Sequence, residues 1–261
     1  MLGWSINLFR VFGIQLSVHA TFFLLLAYAG YEGWQDGGGV TGLVWRVILT
    51  VAFFFCVVLH ELGHSLTARR YGVVVPRILL LPIGGMAEFD RIPRKPSEEF
   101  FITIAGPAVN FAIVAVLLPF VWRYVLGAED MIEFSGAELM TQLFLANLIM
   151  GIFNLLPVYP MDGGRILRSI LALWLPYLRA TWWAVMVARL LAPLFAFIAV
   201  YYFDLKMLGV LFIFIFIVGN NEYRQLQRRE QEAAYWAEMA RRIATTTPPA
   251  TEPPLLNQGP G

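Results

Sequence analysis

One short motif in the first quarter of the chain holds the side chains best suited to chemistry. Residues 60–64 read His-Glu-Leu-Gly-His, an H-E-x-x-H pattern. On an α-helix, residues four apart face the same side, so His60 and His64 can bind one metal ion while Glu61 stands beside it as a general base. Two imidazoles, one further ligand and an open position for water are typical of catalytic zinc. The motif therefore predicts a zinc-dependent hydrolytic site.

The motif closes an apolar stretch that begins near Leu43, which predicts that the site lies inside a membrane-spanning helix. The 261 residues are 59% hydrophobic and 14% charged, more apolar than a soluble domain normally is. H-E-x-x-H also occurs by chance in soluble helices. In lipid, however, a His-Glu-His cluster carries a large desolvation cost unless it binds a metal or a partner. The membrane context therefore favours the zinc interpretation.

Windows of about 20 apolar residues predict an all-α polytopic membrane protein with about six transmembrane helices. The predicted spans cover residues 14–30, 43–68, 100–126, 137–156, 180–202 and 208–218. Between the second and third spans, residues 71–96 combine β-branched residues, Gly-Gly and Pro. This segment is predicted to form short strands or a re-entrant hairpin shielded by protein.

The spans form a predicted core over residues 1–222, and two further segments follow it. Residues 223–243 are predicted to be a charged cytoplasmic helix, either solvated or docked on a partner. Residues 244–261 are rich in Thr and Pro and are predicted to be disordered. Within the core, residues 161–174 predict a short amphipathic helix with Arg165 and Arg168 on its polar side.

The distribution of basic residues predicts a cell-membrane protein with both termini in the cytoplasm. In that orientation only Arg46, Arg123 and Lys206 lie outside, and Arg189 lies within the fifth span. His64 comes five residues before Arg69, so the metal is predicted on the order of 10 Å from the cytoplasmic boundary. The net charge of +1 does not indicate nucleic-acid binding, and a single cysteine excludes an internal disulfide.

A second polar run, N-L-L-P-V-Y-P-M-D-G-G-R at residues 154–165, follows the fourth predicted span. H-E-x-x-H on one span with N-x-x-P-x-x-P-x-D-G-G-R at the end of a later span resembles the site-2 protease family. These are intramembrane zinc metallopeptidases of the M50 type. The similarity extends from His19 to about Arg228. Under the predicted topology both motifs fall at the same leaflet, in agreement with this resemblance.

The resemblance implies a set of roles. His60, His64 and Asp162 would hold one zinc ion per chain, and Glu61 would activate the attacking water. The substrates would be single-span membrane proteins, with anti-sigma factors and membrane-tethered regulators as the natural class. A compact form without PDZ or CBS domains is expected, because the chain has no PDZ-sized insertion and about 40 residues after Gly219.

The roles of several residues allow two interpretations. Asp162 is either the third ligand or an N-cap for a helix that starts near Gly163. Asn154 is either a substrate or oxyanion contact or an interhelical polar contact. Gly85 and Asn110 are predicted to help bind substrate. An exposed strand near residues 83–89 would pair with the extended peptide.

Gly106 and Asn110, in a G-x-x-x-N pattern, also suit close helix packing. His19 is predicted inside the first span, with helix packing favoured over a place on the substrate route. Cys56 is predicted to pack, because a fourth ligand would close the site. A zinc or proton-coupled transporter using the same His/Asp cluster is the alternative function. It leaves Glu61 and the strand-like segment without a role.

Overall fold

The computed structural model describes residues 4–91, 93, 95–127, 130, 132–159, 161–203, 212, 223–228, 230–232 and 235–243. Two strands come first, and long helices and a second pair of strands follow. In chain order the elements are β1 (Ser5–Val11), β2 (Ile14–His19), α1 (Thr21–Gly33), α2 (Gly39–Arg70), β3 (Arg77–Leu81), β4 (Gly84–Glu88), α3 (Pro96–Val125), α4 (Gly136–Leu155), α5 (Asp162–Leu171) and α6 (Tyr177–Phe203).

The start of the chain differs from the predicted first span. Residues 14–19 form strand β2, and the first helix begins only at Thr21. The sequence I-Q-L-S-V-H alternates apolar and polar residues, which is the period of a strand. Ile14, Leu16 and Val18 accordingly point into the core. The all-α description was therefore wrong for this segment, and His19 ends a strand, where its Nδ1 lies 2.7 Å from Thr21 Oγ1.

The four strands form one sheet in the order β1-β2-β3-β4. Strands β2 and β3 are parallel, and the other two pairs are antiparallel. The predicted strand-like segment between the second and third spans is therefore confirmed as the β3–β4 hairpin. It pairs with the N-terminal hairpin rather than standing alone. Apolar residues of β2, β3, α1 and α2 share one core, so the sheet is fixed against the helix that carries the motif.

Helices α1 and α2 form an antiparallel hairpin around a π-helical turn, Trp34–Gly38. Gly37 has a φ of 87°, a conformation that favours glycine, and reverses the chain. Gly33 and Gly42 let the two backbones touch, because a Cβ on Gly33 would overlap the Gly42 carbonyl. α2 then runs from this crossing to the H-E-x-x-H motif at its other end.

Among the described residues, four helical stretches are long and apolar enough to cross a membrane: Thr21–Arg70, Pro96–Val125, Gly136–Leu155 and Tyr177–Ile198. The first of them contains both α1 and α2. Their outward faces carry large exposed apolar side chains, among them Val116, Phe120, Ile149, Leu190 and Phe197. Such faces suit contact with lipid. The chain is a mostly helical, multi-pass membrane protein with a small sheet.

Several C-terminal predictions concern residues that the structure describes only in part. The sixth predicted span lies outside the described residues except for Phe212, and the predicted disordered tail lies wholly outside them. Within the predicted charged helix, residues 223–228, 230–232 and 235–243 are helical. Arg242 bonds to Glu238 on the exposed side of this helix, as i,i+4 pairs commonly do.

The α1–α2 crossing gives a first prediction. Gly33→Ala should lower the free energy of unfolding by about 1–3 kcal/mol, because the added methyl group forces two backbones apart. Thermal unfolding of the detergent-solubilised protein measures the change. Gly136→Ala is the matched control, because a Cβ there meets nothing within 4 Å. Equal unfolding temperatures for the two variants would contradict the tight crossing.

Candidate metal centre

Three side chains from two helices converge on one point. His60 and His64 come from α2, and Asp162 comes from the first turn of α5. His64 Nε2 lies 3.1 Å from His60 Nε2 and 3.2 Å from Asp162 Oδ2, while His60 Nε2 lies 3.3 Å from the same oxygen. All three residues are buried. This is the arrangement of metal-ligating side chains that the sequence predicted.

The other ring nitrogens show which atoms face this point. His64 Nδ1 lies 2.8 Å from the Ile102 carbonyl oxygen, which can only accept, so Nδ1 carries the proton. His60 Nδ1 lies 2.6 Å from Asn110 Oδ1. The side-chain amide of Asn110 donates to Asn147 Oδ1, and that of Asn147 donates to the Leu143 carbonyl oxygen. This series of hydrogen bonds fixes the orientation of both side-chain amides. Asn110 Oδ1 therefore accepts from His60, which also carries its proton on Nδ1.

Both Nε2 atoms therefore direct a lone pair at the carboxylate oxygen. Asp162 Oδ2 is buried and receives no hydrogen bond within the described part of the chain. Three such atoms repel one another unless a cation lies among them. Ligands about 2.0–2.1 Å from zinc at tetrahedral angles are roughly 3.3 Å apart, close to the three observed separations. The residues present fit a tetrahedral zinc ion with its fourth position open.

The start of α5 decides between the two interpretations of Asp162. Met161 occupies the N-cap position and Asp162 is the first helical residue, with no side-chain cap hydrogen bond. The carboxylate instead faces the two histidines. The position of this carboxylate is that of a metal ligand, and a ligating carboxyl group binds in its ionised form.

Glycines allow the elements of the site to approach closely. A Cβ on Gly106 of α3 would overlap His64 Nε2 and lie 2.8 Å from His60 Cε1. A Cβ on Gly63 would lie 2.7 Å from the Ala105 carbonyl oxygen. Gly163 similarly packs against the carbonyls that end α4. Glycine is therefore required where α3 faces the histidines and where α5 begins.

Glu61 stands beside the cluster at the edge of the sheet. A Cβ on Gly85, in β4, would lie 2.6 Å from Glu61 Cγ, so the strand passes directly over this side chain. Glu61 and the three candidate ligands line one cavity of about 1160 Å³. The cavity follows α2 from Gly42 to His64, about 30 Å of helix. A reacting group in it would be within reach of both the metal position and a carboxylate.

The remaining predicted residues separate into two groups. Gly85 and Asn154 line the cavity. Asn110 is fully buried behind His60, so its predicted contact with substrate is replaced by a contact with the histidine. Cys56 is buried in α2 apart from the ligand cluster, which agrees with a packing role.

Arg165 and Arg168 do not share one solvated face. Arg165 lines the cavity, whereas Arg168 is only 1% exposed and pairs with Glu99. The sequence predicted both arginines on the polar side of α5, and for Arg168 that side faces the buried Glu99 and not water. A short amphipathic helix has a polar face, and the pattern alone does not show whether that face meets water or a buried acid.

Sequence reasoning missed Asn147 and the carbonyl group of Ile102. Asn147 left a signal, because it is a polar residue within an apolar span and lies two helical turns before Asn154. A backbone carbonyl leaves none, since every residue has one. The site thus includes hydrogen-bond partners that set the direction of each imidazole, as is usual for metal-binding histidines.

The sequence matches Peptidase family M50 over residues 48–129 and 124–193. The chain belongs to this family. It is 42% identical to a zinc metalloprotease of Methanocaldococcus jannaschii over 192 residues, 73% of this chain and 52% of that protein. It is 31% identical to stage IV sporulation protein FB of Bacillus subtilis, over 65% of this chain and 56% of the relative. The chain spans about half the length of these two relatives.

A solved structure is also similar. The site-2 protease from Methanocaldococcus jannaschii shares 39% identity with this chain and superposes with a TM-score of 0.57. The match covers 84% of this chain and 95% of the solved one. The predicted resemblance to the site-2 protease family is confirmed, and the family names imply zinc as the metal.

The contact of Gly106 with the histidines gives a second prediction. Gly106→Ala should abolish stoichiometric zinc binding, because the new methyl group occupies the space of the His64 ring. Metal analysis of the purified protein measures this. Gly151→Ala is the control, since it adds a methyl group at the α3–α4 contact, where it meets the ring of Phe111. Full zinc content in the Gly106 variant would contradict the described geometry.

Asn110 gives a third prediction. Asn110→Ala should weaken zinc binding 10- to 100-fold, the usual cost of losing a partner that orients a metal-binding histidine. The loss follows because His60 Nδ1 then has no acceptor to fix the ring. Competition with a chelator of known affinity measures the change, and Asn147→Ala should give a smaller loss of the same kind. An unchanged affinity would show that the asparagines serve helix packing alone.

Proposed function

We propose that this chain is an intramembrane zinc metalloendopeptidase that cleaves membrane-spanning segments of other proteins. The observation that carries the proposal is the triangle of His60, His64 and Asp162 opening on a cavity shared with Glu61 and strand β4. One zinc ion per chain fits this triangle. Zinc held there would polarise a carbonyl group and lower the pKa of a bound water toward ~7.

Glu61 has the position and chemistry of the general base. Its carboxylate accepts the proton of the attacking water and returns it to the nitrogen of the departing amine. The contact with Gly85 limits its movement on the sheet side, because Gly85 leaves space for the Glu61 side chain and little more. Asn154 lines the same cavity, and in this proposal its amide hydrogen-bonds the substrate peptide.

Strand β4 offers the means to hold a peptide for cleavage. It lies at one end of the sheet and pairs, within the described residues, with β3 alone, so its outer edge has free backbone groups. A helical substrate buries its carbonyl groups in internal hydrogen bonds and resists attack. A segment that unwinds and pairs with β4 would present an extended peptide beside Glu61.

The cavity wall suits an apolar substrate. Its long side is lined by apolar residues of α2 and α4, including Trp45, Leu49, Phe53, Leu143, Ala146 and Met150. Polar groups are concentrated near the metal position and at the opposite rim, where Asp36 pairs with Arg46. A single-span membrane protein matches this distribution.

The cellular role that follows is regulated intramembrane proteolysis. The natural substrates are membrane-tethered regulators such as anti-sigma factors, released by cleavage near the cytoplasmic face. The basic-residue distribution supports cytoplasmic termini and a site on the cytoplasmic side. Arg69 and Arg70, in the last turn of α2 just beyond the motif, are basic residues of the kind expected at a cytoplasmic membrane boundary.

Glu61→Gln gives the fourth prediction. The variant should bind zinc at the wild-type stoichiometry and lose at least 100-fold in cleavage, because Gln cannot accept the proton. A tagged single-span substrate is co-reconstituted with each protein in liposomes, and cleavage and zinc content are measured together. Glu32→Gln, an exposed position on α1 outside the cavity lining, serves as a matched control that should keep activity.

Other outcomes would contradict the proposal. Equal cleavage by wild type and the Glu61 variant would remove Glu61 from the mechanism. Zinc flux into the liposomes, equal in both proteins and without cleavage, would favour the transporter alternative. An absence of zinc from the wild type would overturn the site assignment.

A further inference from the structure

A buried ion pair joins α5 to α3 outside the candidate metal centre. Arg168 of α5 is 1% exposed and Glu99 of α3 is 2% exposed. Arg168 Nε donates to Glu99 Oε1 at 3.0 Å, and its Nη2 donates to the same oxygen. Removing two charges from water carries a desolvation cost that can exceed their attraction, so a buried pair is weak evidence for stability. Its best-attested use is to select one arrangement of the elements it joins.

Two aromatic rings complete the surroundings of Arg168. Its guanidinium carbon lies 5.3 Å from the ring centre of Tyr159 and 4.9 Å from that of Tyr177, both within cation–π range. Tyr159 lies in the loop that leads into α5, and Tyr177 begins α6. One side chain therefore contacts the loop before α5, the start of α6 and the first turn of α3.

These contacts determine where Asp162 points. Asp162 and Arg168 are six residues apart on one ten-residue helix, so they lie about 9 Å apart along its axis and on different faces. The glycines after Asp162 fix the start of α5 against the preceding loop, and Gly164 packs on Tyr159. A helix held at its start can still rotate. The contact of Arg168 with Glu99 opposes such rotation from the other end of α5, together with the packing of Leu167 on the neighbouring core.

The same turn of α3 also orients a histidine. Glu99 and Ile102 are three residues apart, and the carbonyl oxygen of Ile102 bonds to His64 Nδ1. α3 thus sets the rotation of α5 through Glu99 and the direction of His64 through Ile102. His64 Nε2 and Asp162 Oδ2 lie 3.2 Å apart, and the side chains of both residues are thus positioned through the same turn of α3.

We infer that Arg168 and Glu99 are positioning residues that set the third ligand, Asp162, for zinc, an inference that rests on the proposed zinc metalloprotease function. The pair acts through the rotation of α5 and touches neither metal nor substrate. Zinc affinity therefore reports on it directly, whether or not a substrate is known.

The test replaces both charges together, so that no lone charge is left buried. Glu99→Gln with Arg168→Met should weaken zinc binding 10- to 100-fold, with zinc as the probe and a chelator as competitor on the full chain in detergent. Arg168→Lys keeps the charge but loses the planar group and should fall in between. Val121→Ala, a buried position far along α3, controls for a general loss of stability.

A background variant separates positioning from general damage. In Asp162→Ala the third ligand is absent, so the Glu99/Arg168 double change should cause no further loss of zinc affinity. An additional loss of the same size in that background would overturn the inference, because the pair would then act through the histidines or the whole fold. Unchanged zinc affinity in the Glu99→Gln/Arg168→Met variant that keeps Asp162 would overturn the inference as well.

A second pair of variants keeps the test decisive if the charge-neutral variant fails to fold. Tyr159→Phe retains the ring, and the Tyr159 hydroxyl has no hydrogen-bond partner among the described residues, so zinc affinity should not change. Tyr159→Leu removes the ring and should weaken zinc binding. Equal affinity for both contradicts the inference. Zinc binding by a wild type that cleaves nothing contradicts the protease proposal alone.

Discussion

The candidate metal centre depends on three atoms that carry lone pairs and are held about as far apart as the ligands of a tetrahedrally coordinated cation. Two imidazole nitrogens and a carboxylate oxygen, 3.1–3.3 Å apart, repel one another when no positive charge lies among them. The surrounding protein must supply the force that keeps them together. α3 takes part at several points: it presents Gly106 for space and Ile102 and Asn110 for direction, and the inference above adds Glu99 as an anchor of α5. The helix that contributes no candidate ligand therefore organises those that do.

This arrangement explains why polar groups are tolerated so deep among apolar helices. Behind His60 the buried polar side chains are bonded in series: His60 with Asn110, Asn110 with Asn147, and Asn147 with the backbone of α4. A fully connected network of this kind specifies one geometry, whereas a partly satisfied one would destabilise the fold. The unpartnered Asp162 oxygen is the place where the network ends and metal chemistry would begin.

The sequence predicted the chemistry better than it predicted the support for that chemistry. H-E-x-x-H and the Asp-Gly-Gly run mark the candidate ligands because ligand types and spacings are themselves sequence features. β2 was predicted as part of a span because a 20-residue hydropathy average hides a six-residue alternation. Arg168 was predicted on the polar side of α5, but its buried partner could not be, because Glu99 lies 69 positions away and the packing of α5 on α3 is not a local property. Asn110 was identified from its pattern but given the wrong neighbour for the same reason.

The sheet order has a consequence for biosynthesis. β2 and β3 pair although the whole α1–α2 hairpin separates them in sequence, and all four strands are synthesised before α3. β4, the two histidines and Glu61 therefore precede the helix that orients the histidines, and Asp162 comes later still. A growing chain that ends before α5 has the sheet and both histidines but lacks the complete triangle. This order implies that the candidate metal centre cannot assemble in a nascent chain until α5 has been added.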